Sequence, residues 1–445
     1  MLFREVIPEV DNQLRAQAWL GVDHEVTLLR DLHGRVRLMV ESPDTTADEP
    51  RGAALEAALR NALGGWLGDA TPVWVTRKPR PGKTPPFSAL ADLVRNSRRP
   101  HTPATGASFT FTCFLLDRHA GKRGWVGEIP YAPPWPITDV DAKQKPAILV
   151  FFSHKGGVGR STALAATAVH FARAGLQVMA IDLDLEAPGL AALFGKSPDV
   201  GVVDYLVEQP LSGDALLATI ALPVGEPTVI GDNGKPILVV PAGKVDGEYL
   251  DMLAKLDLQD ATAPGGLVDR LKALFHGLTA QYAGLDFILV DARAGFHDLG
   301  GVMLAGLSHG AIVVGLDNPQ SWQGVAAVVG VLAQPLRQGG TDPVNLVLVL
   351  GMGPPAGGGG EDEHRAFRER AHDILTDKNY YPTPRDVPKP GEPYYADLLR
   401  WRPELRGKGG ALDAGMVEVL LSDDYRGLAA RIAALYGRPL PERKG

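Results

Sequence analysis

The feature that most constrains this chain is a glycine-rich turn set between a short apolar run and an apolar-faced helix, within residues 147–193. The run 147–152 is too short for a stable helix and is bounded by polar residues, which predicts a strand buried on both faces of a parallel sheet. The turn reads Lys155-Gly156-Gly157-Val158-Gly159-Arg160-Ser161-Thr162. Its three glycines permit positive φ and close backbone approach, so that successive N–H groups can point at one anion. The Ser161 hydroxyl suits a magnesium ion and that of Thr162 a phosphate oxygen. A helix starts there, with Leu164, Ala168 and Phe171 on one face and Gly175 placed to end it, and the positive end of its dipole faces the same anion. A second apolar run, 178–181, delivers Asp182 and Asp184 at its carboxyl end, the edge where open α/β sheets bind ligands. The expected fold class is α/β, a doubly wound and mostly parallel sheet.

The turn departs from the standard phosphate loop of Gly, four residues, Gly-Lys-Ser/Thr. His154 stands at the first glycine, Arg160 stands at the lysine, and a displaced lysine, Lys155, comes early. In this form the stretch resembles the ParA/MinD class of P-loop ATPases, and most closely a subset with a Lys-Gly-Gly-Val-Gly-Arg loop. That subset carries an Asp-x-Asp-Leu-Glu-Ala-Pro-Gly stretch after the next strand, matched here from Asp182 to Gly189. The resemblance implies ATP and Mg2+ as ligands, with Lys155, Gly156, Gly157, Val158, Gly159, Arg160, Ser161 and Thr162 around the phosphates. It places Ser161, Asp182 and Asp291 around the metal and gives Asp184 the orientation of the attacking water. Lys155 would reach the phosphates of a partner subunit, so that a homodimer sandwiches two nucleotides. Asp291 closes the apolar run 287–290 as a Walker B carboxylate, and residues 292–295 correspond to the second switch, with Arg293 and Gly295 free to respond to the γ-phosphate. Glu186 is expected to be solvated or paired with a cation.

The remaining sequence sets the surroundings. Residues 1–140 read as a separate small α+β domain of unrecognised family, and 147–445 as the nucleotide-binding domain. In the first, 26–29 and 36–40 form a hairpin through His33-Gly34, Leu55, Leu59, Leu63 and Trp66 share a helix face, and 72–76 is extended. A second hairpin is expected from 109–116 and 124–126, and the proline-rich stretch 131–146 is the linker. Strands are expected at 237–240, 311–315 and 346–350, and a helix at 267–278, with a helix start at or just before Ser321. Residues 353–360 are a low-complexity glycine and proline loop. The class often has an adenine-reading Asn at the end of the strand where Gly351 and Met352 stand, so no base pocket is assigned; Tyr394 and Tyr395 are candidates to stack on a base. The run 77–99 holds seven basic residues and one acidic one. It reads as a solvated loop ahead of a nucleic-acid patch, because only Phe87 interleaves it.

A net charge of -7 argues against attraction of the whole protein to nucleic acid. The lone cysteine, Cys113, excludes an internal disulfide and a cysteine-cluster zinc site. With no apolar run long enough for a signal core or membrane span, a cytoplasmic location is expected. The terminal helix, 425–436, corresponds to the membrane foot of MinD-like proteins but reads as a helix packed on the sheet. The resulting expectation is a slowly hydrolysing ATPase that acts as a dimerisation switch for a protein effector. The alternative is a non-hydrolysing nucleotide-binding scaffold or sensor; a phosphotransferase, weakened by a tail with one tyrosine, and a DNA-partitioning ATPase rank lower. The subset is associated with bacterial conflict and signalling systems, which leans the reading towards anti-phage defence.

Overall fold

Every residue of β6 (Ala147–Ser153) is buried, and the reason is visible in its alternation. Ile148, Val150 and Phe152 enter one hydrophobic core, while Ala147, Leu149 and Phe151 enter another on the opposite face of the sheet. A strand covered on both faces has no polar positions to spare, which explains the continuous apolar run. The computed structural model describes residues 1–78, 89–103, 108–119, 121–126, 132–137, 145–257, 265–334, 344–355, 360–405 and 410–441. The chain divides into two compact units, Met1–Ala120 and Gly121–Gly445.

The second unit holds an eight-stranded sheet. Beside β6 it comprises β7 (Val178–Leu183), β8 (Leu222–Val224), β9 (Ile237–Val240), β10 (Phe287–Ala292), β11 (Gly310–Gly315), β12 (Asn345–Gly353) and β13 (Asp397–Arg400). The order is β13-β12-β11-β6-β10-β7-β9-β8, all parallel except the edge strand β8. The chain leaves β6 towards β7 and returns through β10 before crossing to β11, so the carboxyl ends of β6, β7 and β10 meet at the reversal of direction. The helix after the glycine turn (Arg160–Arg173) is almost wholly buried. Its alanines let it lie between the sheet and the last helix (Asp423–Leu435), whose Leu428 and Ile432 are both 1% exposed. The apolar face that a membrane foot would use is therefore occupied by packing. Among the described residues no helix is long and apolar enough to cross a membrane.

The first unit carries β1 (Glu25–Arg30), β2 (Val36–Ser42), β3 (Val73–Arg77), β4 (Arg99–Pro100) and β5 (Thr112–Asp117) in the order β3-β2-β1-β5-β4. The hairpin of β1 and β2 forms as expected: Gly34 has φ +81°, and the Asp31 carboxylate accepts the N–H groups of His33 and Arg35. Helices Phe3–Arg15 and Thr45–Leu63 cover one sheet face, and Ala91 and Val94 of the helix Ala89–Ser97 cover the other at Met39. The expected second hairpin is not formed. β5 pairs with β1 and β4 instead, and residues 124–126 are a turn in the second unit. Of the basic run 77–99, residues 79–88 lie outside the described residues. Lys78, Arg95 and Arg98 of that run are committed to ion pairs with Glu25, Glu41 and Asp92.

Candidate nucleotide site

The glycine turn leaves β6 and enters its helix through two residues in the left-handed region, Gly157 at φ +73° and Gly159 at φ +89°. Any side chain there would be strained. A Cβ on Gly156, Gly157 or Gly159 would meet nothing within 4 Å, so the cradle opens outward, and buried Val158 anchors it from below.

Beneath the turn, register sets the carboxylates side by side. Asp291 is the neighbour of Asp182 on one side and of Phe151 on the other. Asp182 accepts backbone N–H groups from Asp184, Gly189 and Leu190, at 3.0–3.1 Å, and so caps the turn that follows β7. Burial and the nearby Asp291 carboxylate push its pKa up to about 7 despite those three bonds.

Arg160 lies in this acidic floor. Its Nε donates to Asp291 Oδ1 at 2.5 Å, and its Nη2 donates to Asp184 Oδ2 at 2.8 Å. The Ser161 hydroxyl donates to the second oxygen of Asp291, also at 2.5 Å. Burial opposes the guanidinium charge, but Asp291 and Asp184 outweigh it and raise the Arg160 pKa; burial likewise raises that of Asp291. One cation, bonded to Asp291 and Asp184, thus accompanies a group of three carboxylates that includes Asp182.

Magnesium with a nucleotide suits that imbalance. Asp184 Oδ1 is buried without a hydrogen-bond partner among the described residues, and Ser161 offers a hydroxyl beside Asp291. Among the described residues no group of three His, Cys, Asp or Glu side chains converges to hold a metal ion by itself. Phosphate oxygens and water would have to complete the shell, as hard divalent cations prefer.

Lys155 is elsewhere: its ammonium donates to Gln320 Oε1 on the outer side of the turn. The two cations of the loop are therefore segregated, Arg160 inward and Lys155 outward. Arg293 and Gly295, expected to respond to the γ-phosphate, both have partners in this arrangement. Arg293 is paired with Glu186, which also lies 3.1 Å from His297, and the Gly295 N–H donates to the Ser153 carbonyl at 3.0 Å.

Sequence reasoning also missed the wall beside the loop. A cavity of about 540 Å³ runs from Gly157 and Thr162 to Met352, Trp401, Arg402 and Tyr425. Trp401 extends the β12 pairing, its N–H donating to the Gly353 carbonyl at 2.8 Å. Tyr395 is not in this wall; it lines a separate cavity with Asp397 and Arg431, and Tyr394 packs on Tyr380 and Tyr381. The available signal was Trp401 directly after the Leu398-Leu399 pair of the edge strand, at the ligand-binding edge of the sheet.

The family profile described as the CobQ/CobB/MinD/ParA nucleotide binding domain matches residues 149–378. No curated protein matches the chain. Among solved structures, a septum site-determining protein MinD complexed with Mg-ADP from Pyrococcus horikoshii OT3 is 20% identical, with 66% of this chain and 98% of that one covered and a TM-score of 0.41. A ParA family ATPase from Chlorobium tepidum TLS is 17% identical, covering 66% and 96%, at a TM-score of 0.38. A cobyrinic acid a,c-diamide synthase from Mycobacterium smegmatis, with bound ATP analogue and magnesium, is 18% identical, covering 66% and 98%, at 0.38.

Proposed function

Because this chain belongs to the CobQ/CobB/MinD/ParA nucleotide-binding domain family, we propose that it binds ATP with magnesium, hydrolyses it slowly, and uses the bound state to move between one copy and two. The observation that carries this reading is the segregation of the two loop cations. Arg160 is held inside by Asp291 and Asp184, while the partner of Lys155 among the described residues is the neutral amide of Gln320 at the rim. A neutral partner is readily exchanged for a phosphate, so Lys155 is the cation available to a second subunit's nucleotide.

In this reading the N–H groups of residues 156–162 cradle the phosphates, with the helix dipole behind them. Arg160 would turn from Asp184 towards the outer phosphates, releasing that carboxylate to orient water. Magnesium, when bound, supplies charge neutralisation of the phosphates, with Ser161 and Asp291 nearest to hold it and Asp182 keeping the adjoining turn in place. Turnover is slow because two buried ion pairs must be exchanged first. A protein effector is the expected recipient of the switch, in keeping with the association of this loop type with bacterial conflict and signalling. The amino-terminal unit is the part proposed to meet it. The Arg160–Asp184 pair also favours a second reading, a nucleotide-holding sensor that does not hydrolyse.

Light scattering after size exclusion, without nucleotide, with ADP, and with a non-hydrolysable ATP analogue plus magnesium, tests the switch. Mass should double only with the analogue, and Lys155→Ala should abolish the change. Constant mass despite nucleotide binding would overturn the switch, and phosphate release compared between wild type and Asp184→Asn separates hydrolysis from holding.

A further inference from the structure

Residues 121–126, the first of the second unit, form a turn lying against the segment that follows β10. Trp125 is 9% exposed, and its indole Nε1 donates to the His297 carbonyl at 2.7 Å. Its ring meets those of Phe152 and Phe296 at centroid distances of 5.4 and 5.0 Å. The Lys122 backbone N–H donates to the Asp298 carboxylate, and its ammonium lies 3.2 Å from the same group. The surfaces meet without slack. A Cβ on Gly124 would stand 2.3 Å from the Gly301 carbonyl carbon, and one on Gly301 would stand 2.7 Å from the Trp125 indole nitrogen.

The clamped segment, 293–298, is the one that borders the nucleotide loop. Phe296 lies against His154 at 4.9 Å between ring centroids. Gly295, at φ +82°, spends its N–H on the Ser153 carbonyl, and Arg293 and His297 both meet Glu186 of the turn after β7. In this arrangement the Gly295 N–H is not offered to an anion in the loop. The same few residues thus touch the loop strand, the acidic turn and residues 121–126.

We propose that residues 121–126 are a built-in restraint on hydrolysis, in which Trp125 and Lys122 act as positioning residues that hold 293–298 with the Gly295 N–H on Ser153. This inference rests on the ATPase reading. The restraint must yield before the segment can turn towards a terminal phosphate. Because it directly follows the amino-terminal unit in sequence, a partner acting on the preceding chain gains a route to turnover through it.

The test uses the full chain with Trp125→Phe, which keeps the ring contacts but loses the N–H bond, Trp125→Ala, and Lys122→Ala, which removes one end of an exposed ion pair. In nucleotide-free protein, backbone hydrogens of 293–298 should exchange about five-fold faster in Trp125→Ala and measurably faster in the milder variants. ADP affinity should stay within about two-fold while phosphate release at saturating ATP rises about three-fold or more. Unchanged exchange, or turnover that is unchanged or falls together with ADP affinity and Tm, overturns the restraint. Faster exchange with no phosphate release in any protein, wild type included, overturns the ATPase reading and the restraint with it.

Discussion

Arg160 Nε and Asp291 Oδ1 stand 2.5 Å apart at a site where the Asp291 side chain is 3% exposed and that of Arg160 9%. An arginine in the position that usually carries lysine thus spans the gap between the glycine turn and β10. Its planar fork, which reaches Asp184 as well, is what lets one side chain serve two carboxylates.

Removing that cation leaves buried charge behind. Arg160→Ala should therefore cost about 3 kcal/mol of unfolding free energy in the nucleotide-free protein. Asp291→Asn introduced in addition should recover part of the loss, since the orphaned charge goes with it. Urea unfolding of the two single variants and the double variant checks this; equal and additive losses would mean the pair is not coupled.

Gly324 is needed for space. A Cβ there would lie 2.1 Å from His154 Cγ and 2.4 Å from its Cβ, a contact no rotamer of His154 relieves at the Cβ. Gly324→Ala should displace His154, and with it the start of the loop at Lys155, at a cost of about 1–3 kcal/mol. Weakened binding of a fluorescent ATP analogue together with a lower Tm is the expected outcome. Gly156→Ala, where a Cβ meets nothing within 4 Å, is the control that should leave Tm nearly unchanged.

The sheet and the loop were legible because buried parallel strands announce themselves as apolar runs and because glycines mark a backbone that must approach a ligand. Asp182 and Asp291 were found at strand ends, and parallel register then brought them together. What could not be read was direction. Nothing in local sequence says that Arg160 points inward while Lys155 points to Gln320, because both choices depend on residues more than a hundred positions away. Residues 124–126 were misread for a related reason. Gly124 and Val126 look like a hairpin arm, but Trp125 finds its partners at Phe152 and His297.

His309 gives a pH dependence free of the nucleotide site. Its Nδ1 accepts the Ile148 N–H at 2.9 Å, which leaves the proton on Nε2 to donate to the Trp135 carbonyl at 2.7 Å. Burial lowers its pKa to about 4, against an ordinary value of 6.5. Proton uptake therefore favours the unfolded chain: stability is intact above pH 6.5 and is lost as pH falls towards 4, by about 3 kcal/mol from this group. His309→Gln, less stable at neutral pH, should show a shallower loss over that window. Parallel stability curves for the two proteins would show that His309 is not the responsible group.

The wall beside the loop distinguishes two aromatic candidates for the base. Trp401 is 41% exposed and borders the cavity that reaches Gly157 and Thr162, whereas Tyr395 faces a different cavity with Arg431. An exposed indole at a sheet edge has little folding role and a full face to offer. Stacking of this kind contributes about 1–1.5 kcal/mol, so Trp401→Ala should weaken nucleotide binding about ten-fold with Tm nearly unchanged. Tyr395→Ala should leave affinity as it was. Isothermal titration with ADP and with inorganic pyrophosphate separates the parts of the site, because pyrophosphate lacks a base. Equal weakening of both ligands by Trp401→Ala would place the indole's influence on the phosphate loop and not on the base.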